Sequence, residues 1–319
     1  MNPTSPSESI HVSEWSGRHD GPGPEHARWH SSIQRLGDHS PAGVALLGFS
    51  SDEGVRRNGG RQGAAEGPQA IRDALASMAV HHDMPLYDAG TIAVHGTDLE
   101  TGHDLLSAHV RDIVAAGHLT IVLGGGHETA FGTHRGLRSA LDHPVAIVNL
   151  DAHFDLRQAD RPTSGTPFRQ IADLDESEFH YSVFGISRPS NTRTLFDTAA
   201  DLGAQVITDE DIASMTAEEC AAIARESVAE LEVVHLSIDL DVLPAATAPG
   251  VSAPAAFGVE LQKILSMARA LASTGKLRLV DVVELNPHFD VDNRTARVAA
   301  RIIDEIVRAA SAASNSELR

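Results

Sequence analysis

Six side chains in three short motifs could hold a pair of divalent cations. They are His127 in LGGGHET, Asp151, His153 and Asp155 in NLDAHFD, and Asp239 and Asp241 in SIDLDVL. Each motif follows an apolar run of strand character: 119–124, 144–150 and 231–238. Polar groups at the carboxyl ends of parallel strands face the crevice where open α/β sheets bind ligands. A spacing of two puts 151, 153 and 155 on one side of an extended segment, and 239 and 241 likewise. Four carboxylates and two imidazoles are the donor inventory of a two-metal site, and four buried aspartates would repel one another without cations between them. A lone DxH or DxD means little, because Asp caps many helices that follow strands. Three motifs supplying six donors together are poorly explained as caps, so the metal reading is preferred.

Hard, oxygen-rich coordination with some imidazole favours Mn²⁺ over Zn²⁺. Two divalent cations balance four aspartates, and a pair of this kind sits roughly 3.5–4 Å apart around a shared water nucleophile. A hydroxide bridging them leaves the centre at a net −1, suited to a cationic amidine or guanidine.

The elements that must position these donors alternate from Gly43 onward: strands 44–50, 85–90, 119–124, 144–150, 181–187, 204–208, 232–239 and 277–285, interleaved with helices. The helices are expected from Pro68, then over 103–116, 127–140, 192–201, 216–230, 259–273 and 293–312, with a long loop over 155–167. Such alternation predicts one three-layer α/β/α domain around a parallel sheet of about eight strands, spanning 41–319. Residues 1–40 are rich in Ser, Pro, Gly and His and read as an N-terminal arm, tied down by Trp15 and Trp29. Gly124-Gly125-Gly126 lacks phosphate-loop spacing and is better explained as room for His127 to approach at the start of its helix. His134 reads as packing, or as support behind a ligand.

The net charge is −19 and argues against nucleic acid or an anionic membrane as partner. No apolar run approaches membrane-spanning length, and no signal-peptide pattern opens the chain. The single cysteine, Cys220, falls in a helical pattern, reads as an inert buried thiol and fits a reducing cytoplasm. Positive charge is almost all arginine, Lys263 and Lys276 being the two lysines. Arginines 56, 57, 61, 157, 161, 169 and 188 lie near loops expected around the crevice. At least half should be ordinary solvated surface charges, and the rest suit planar, bidentate recognition of an anionic substrate.

The chain resembles the arginase/agmatinase-type ureohydrolases through Gly124-Gly-Gly-His127-Glu, Asp151-Ala-His-Phe-Asp155, Ser237-Ile-Asp-Leu-Asp241 and Val283-Glu-Leu-Asn-Pro287, from about Gly43 to the end and in the family's order. Ser51-Asp-Glu-Gly-Val-Arg-Arg-Asn58, Asp155-Leu-Arg157, Ser164-Gly-Thr-Pro-Phe-Arg-Gln170, Gly185-Ile-Ser-Arg188, Trp15–Asp20 and Arg28-Trp29-His30 resemble its branch acting on N-formimidoyl-L-glutamate, a step of histidine degradation. The resemblance implies an arginase-like fold, two Mn²⁺ per chain and release of L-glutamate and formamide after attack of a metal-bridging hydroxide on the amidine carbon. It places Glu284 against the substrate amidinium, with Asp155 both ligand and proton carrier. Arg157, Arg188, Arg57 and Ser164 are the candidates for the substrate's acidic end. Agmatinases carry a histidine where this chain has Ser164, which argues against that activity. The expected partner is a small anionic amidine, in a cytoplasmic homo-oligomer. Rival readings are a hydrolase of a guanidino acid and a catalytically silent metal-binding relative.

Overall fold

The computed structural model describes residues 10–11, 13–141, 143–175 and 178–317. The strands are β1 (Ile10–His11), β2 (Gln34–Arg35), β3 (Val44–Ser50), β4 (Leu86–Ala93), β5 (Leu119–Leu123), β6 (Val145–Leu150), β7 (His180–Ile186), β8 (Gln205–Thr208), β9 (Val233–Asp239) and β10 (Leu277–Val283). The helices are α1 (Trp29–Ser32), α2 (Glu53–Arg57), α3 (Gly67–Ala76), α4 (Leu99–Ala115), α5 (Thr129–Ala140), α6 (Pro167–Asp175), α7 (Arg193–Asp201), α8 (Asp209–Ala213), α9 (Ala217–Glu226), α10 (Leu261–Ala272) and α11 (Arg294–Glu317).

The strands form one sheet in the order β1-β4-β3-β5-β10-β9-β6-β7-β8, with β2 beside β4. Nine of them, β2 to β10, pair in parallel, and the largely buried runs of β3, β5, β6, β7, β9 and β10 suit a sheet covered on both faces. Alternate residues feed two separate cores. Leu46, Val148, Leu236 and Val280 pack with Ile264, Leu271 and Ile303 of α10 and α11. Leu47, Val122 and Ile147 pack on the other face with Leu106, Val110, Leu137 and Phe168 of α4, α5 and α6.

The chain leaves β5, crosses to β6, and later returns β9 and β10 into the gap between them. The carboxyl ends of β5, β10, β9 and β6 therefore lie side by side, and each carries one of the motifs. This is the switch point at which open parallel sheets form their ligand crevice.

The arm is more than an appendage, because it adds β1, antiparallel to β4, and β2 at the same edge. Trp29 is fully buried with Nε1 donating to Asp304 Oδ1 at 3.0 Å, and Trp15 Nε1 donates to Asp88 Oδ2 at 2.7 Å. Asp88 is also gripped by both Nε and Nη2 of the buried Arg72, each at 3.0 Å. Removing one partner of such a buried ion pair costs roughly 3–5 kcal/mol, so this edge is firmly fixed. No helix among the described residues is long and apolar enough to cross a membrane.

Candidate active site

His127 lies in the turn between β5 and α5, two residues before the helix rather than at its first turn. The preceding glycines permit close approach. A Cβ on Gly125 would lie 1.8 Å from Ser51 O, and one on Gly124 would lie 2.5 Å from Val283 Cγ1. That packing brings the ends of β3, β5 and β10 together and aims His127 across the crevice. Its Nδ1 stands 3.1 Å from Asp151 Oδ2, 3.0 Å from Asp155 Oδ2 and 3.1 Å from Asp239 Oδ2. A second group forms beside it, with His153 Nδ1 3.2 Å from Asp241 Oδ2 and 3.5 Å from Asp151 Oδ1. Asp151 belongs to both groups through its two oxygens.

The structure thus brings all six sequence-derived ligands together, but not by the extended spacing-of-two argument. Asp151 and Asp239 sit at strand ends, and each bends the following chain by accepting from an N–H two residues on. His153 N donates to Asp151 Oδ1 at 2.7 Å, and Asp241 N donates to Asp239 Oδ1 at 2.8 Å. Asp155 has φ +49°, a conformation an extended strand cannot contain. Local turns therefore send His153 and Asp155, and likewise Asp239 and Asp241, into different groups.

The donor set fits two cations. His127 Nδ1 is buried within reach of three carboxylates yet has a hydrogen bond to none, and Asp241 Oδ1 is buried and equally without a partner. Facing lone pairs at this density demand positive charge among them. The proton affinities agree. Burial lowers the basicity of His127, but the three surrounding carboxylates overcome it and hold the imidazole well above its ordinary range. The charge of Asp241 outweighs the opposing effect of burial and, with hydrogen bonding to Asp151 and Asp241, drives His153 to about 12. Burial, then Asp241 and Asp151, push Asp239 well up, and burial carries Asp241 to about 6. Asp151 is the exception: against the opposing effect of burial, the two imidazoles hold its carboxyl well below the usual range, while the other aspartates are pushed up by burial in a cluster short of positive charge.

Supporting side chains come from polar residues within the apolar strands. Ser237 Oγ is 3.0 Å from His127 Nε2, and Asn149 Nδ2 donates to Asp151 Oδ2 at 3.0 Å and to Tyr181 OH at 3.1 Å. Asn191 accepts from the N–H of Phe154 and donates to Ala152 O, pinning the 151–155 turn. Sequence reasoning assigned none of these roles, although a buried Ser or Asn inside an apolar strand was a usable signal. His134 lies behind the centre, with Nε2 2.9 Å from Asp175 Oδ2 and Nδ1 3.4 Å from His235 Nδ1, so it packs and supports but does not join the His/Asp cluster.

Glu284 is the first residue after β10 and has φ +66°, a left-handed backbone that turns its carboxylate back toward the crevice. Its Oε1 accepts from the backbone N–H of His127 at 2.9 Å. Burial, then the charges of Asp239 and Glu128, raise its proton affinity well above the usual carboxylate range. A cation arriving there would relieve that repulsion.

The seven rim arginines divide sharply. Arg56 pairs with Glu53, Arg161 with Glu100, Arg169 with Asp173, and Arg188 lies 3.6 Å from Glu210. Arg61 donates to Val251 O and Ser252 O and stacks on Phe289 at 3.8 Å. Arg57 spends its donors on Glu53, Glu100, Thr97 O and Pro162 O, which leaves none for a ligand in this arrangement. It braces the loops, and this corrects its expected place at the substrate. Arg157 differs: the one hydrogen bond of its guanidinium among the described residues runs from Nη1 to the neutral Asn58 Oδ1 at 3.1 Å. Ser164 is buried on the same loop and its Oγ accepts from Asn58 Nδ2. Beside His153 opens a cleft of about 500 Å³ lined by Ser187, Ser190, Asp209, Glu210 and Phe257. Arg188, between Ser187 and Pro189 and half exposed, stands at that cleft's edge.

The arginase family model matches residues 42–308. Formimidoylglutamase from Corynebacterium efficiens is 54% identical over 297 residues, spanning 92% of this chain and 94% of that protein. Formimidoylglutamase from Rhodococcus opacus is 50% identical over 301 residues, again 92% and 94% of the two chains. Among solved structures, Trypanosoma cruzi formiminoglutamase with Mn²⁺ superposes with a TM-score of 0.81 at 28% identity, covering 89% of this chain and 98% of that one.

Proposed function

The chain belongs to the arginase family and hydrolyses N-formimidoyl-L-glutamate, and we propose that it does so at two Mn²⁺ ions held by His127, Asp151, His153, Asp155, Asp239 and Asp241. The observation that carries this reading is the convergence of three aspartates on His127 Nδ1 at 3.0–3.1 Å, next to a second group that shares Asp151. The oxygen-rich donor set supports manganese, as does the Mn²⁺ in the Trypanosoma cruzi enzyme.

In the reaction a C–O bond forms at the amidine carbon, and the C–N bond to the glutamate nitrogen breaks, giving formamide and L-glutamate. When bound, the two cations supply Lewis-acid activation of water and offset negative charge that develops at the reacting carbon. Glu284 holds the amidinium by charge and hydrogen bonding, and its left-handed backbone and its bond to the His127 N–H fix its direction. Asp155 stands at the open side of the cluster, its side chain 13% exposed against 0–5% for the other three aspartates. From there it carries a proton from the attacking water to the departing nitrogen.

The substrate's acidic end lies toward Arg157, the rim arginine with neither an acidic partner nor backbone carbonyls to occupy it. Arg188 is the second contact, its charge shared with Glu210, and Ser164 completes the pocket wall beside Arg157. A cytoplasmic homo-oligomer belongs to the same reading. The test is product analysis of Mn²⁺-loaded protein with formimidoylglutamate, arginine and agmatine side by side. Glutamate and formamide from the first should far exceed urea from the other two, and preferred release of urea would overturn the assignment.

A further inference from the structure

Asn58 stands between the two groups assigned to the substrate's acidic end. Its Oδ1 accepts from Arg157 Nη1 at 3.1 Å, and its Nδ2 donates to Ser164 Oγ at 3.1 Å. Asn58 is itself held firmly, because it ends α2 and its N–H donates to Gly54 O at 3.0 Å. The helix is clamped in turn: Gly54 N and Ser51 Oγ both donate to the buried Glu128 Oε1 at 3.0 Å, and Glu128 follows the ligand His127 directly. A Cβ on Gly54 would come within 2.3 Å of the Glu128 carboxyl carbon, so α2 rests against the same turn that presents His127.

Arg157 lacks comparable support. It is exposed, and an unrestrained arginine loses about 2 kcal/mol of rotamer freedom when a ligand fixes it. Asn58 removes part of that cost in advance by holding Nη1, and it leaves Nε and Nη2 free among the described residues. Those two donors form the planar edge that matches a carboxylate in bidentate fashion. A neutral amide suits this post, since an Asp or Glu there would neutralise the guanidinium and compete with the substrate.

We propose that Asn58 is a specificity-determining positioning residue, which orients Arg157 and Ser164 so that the Nε/Nη2 edge of Arg157 meets a carboxylate of the substrate. The proposal rests on the reading of Arg157 given above. Asn58 touches neither the metal-binding residues nor the reacting carbon, so its contribution appears in substrate binding.

A double-mutant cycle tests it on the Mn²⁺-loaded protein with formimidoylglutamate, using Asn58→Ala, Arg157→Ala and the double variant, with metal content and thermal midpoint measured for each. Asn58→Ala should raise KM roughly 5–10-fold with kcat little changed, the size expected for losing one hydrogen bond and its preorganisation. In the Arg157→Ala background the same change should add almost nothing, because the group it positions is gone. If Arg157→Ala leaves KM normal, the assignment of Arg157 fails and this proposal fails with it. If Arg157→Ala raises KM but Asn58→Ala has no effect, or has its full effect in both backgrounds, the assignment of Arg157 stands and the role of Asn58 is overturned.

Discussion

The carboxylate of Glu284 and the backbone of His127 are joined by a hydrogen bond of 2.9 Å, although 157 residues separate them in the chain. One turn therefore fixes both the imidazole proposed to bind metal and the carboxylate proposed to meet the substrate cation. Among the described residues, two of the four non-glycine positions with positive φ lie at this site, Glu284 at φ +66° and Asp155 at φ +49°. For residues other than glycine this conformation costs of order 1–3 kcal/mol, and it persists where surrounding structure over-determines it.

Glu284→Gln preserves an acceptor for the His127 N–H while removing the charge. Metal content should stay at the level of the unaltered protein, and kcat/KM should fall by at least about 100-fold, as expected for an ionic hold of roughly 3 kcal/mol or more in a water-poor site. Elemental analysis and steady-state kinetics check it. Loss of metal would place Glu284 among the ligands, and unchanged kinetics would remove its substrate role.

Arg157→Ala removes the rim guanidinium that, among the described residues, has neither an acidic partner nor a backbone carbonyl to occupy it. KM for formimidoylglutamate should rise by an amount equivalent to roughly 1.5–3 kcal/mol, the range for a charge-assisted pair. Metal content should not change. Lower thermal stability with a normal KM would instead make Arg157 a brace like Arg57.

Acid sensitivity should be traceable in part to His103, which lies buried between Phe49 and Phe131. Burial first, then the charge of Arg135, lowers its proton affinity to about 4 from an ordinary 6.5. Between those values the unfolded chain binds the extra proton and the folded one does not. The neutral form's contribution to stability is therefore complete above pH 6.5 and is lost as pH falls toward 4. A depression of this size corresponds to roughly 2–4 kcal/mol across that window. His103→Phe should flatten the dependence of unfolding free energy on pH over the window, measured by denaturant titration at several pH values. Parallel curves for the two proteins would show that the protonation lies elsewhere.

Much of this arrangement was legible in the sequence, because the governing patterns are local. Largely apolar runs ending in Asp or in Gly-Gly-Gly-His predict buried parallel strands with polar ends, and β5, β6 and β9 have that form. Cys220, expected to be inert, is 2% exposed in α9 with burial raising its thiol. What escaped depends on pairing across distance. The insertion of β9 and β10 between β5 and β6 has no local signature. Nor has the docking of α2 on Glu128, which makes Arg57 a brace and Asn58 a neighbour of Arg157. The short helices α2 and α8, five residues each, fall below the length at which periodicity can be read. The loop expected over 155–167 ends where α6 begins at Pro167, a residue suited to the first helical turn.

If catalysis belongs to a two-cation centre built on these six side chains, turnover must follow metal occupancy, which metal counting coupled to activity measures. Protein stripped of metal and titrated with Mn²⁺ should be inactive on formimidoylglutamate and should regain turnover as occupancy approaches two ions per chain. Asp239→Asn, in which a neutral amide replaces a carboxylate 3.1 Å from His127 Nδ1, should lose one or both ions and turnover together. Full activity in verified metal-free protein, or in Asp239→Asn without bound metal, would contradict the account.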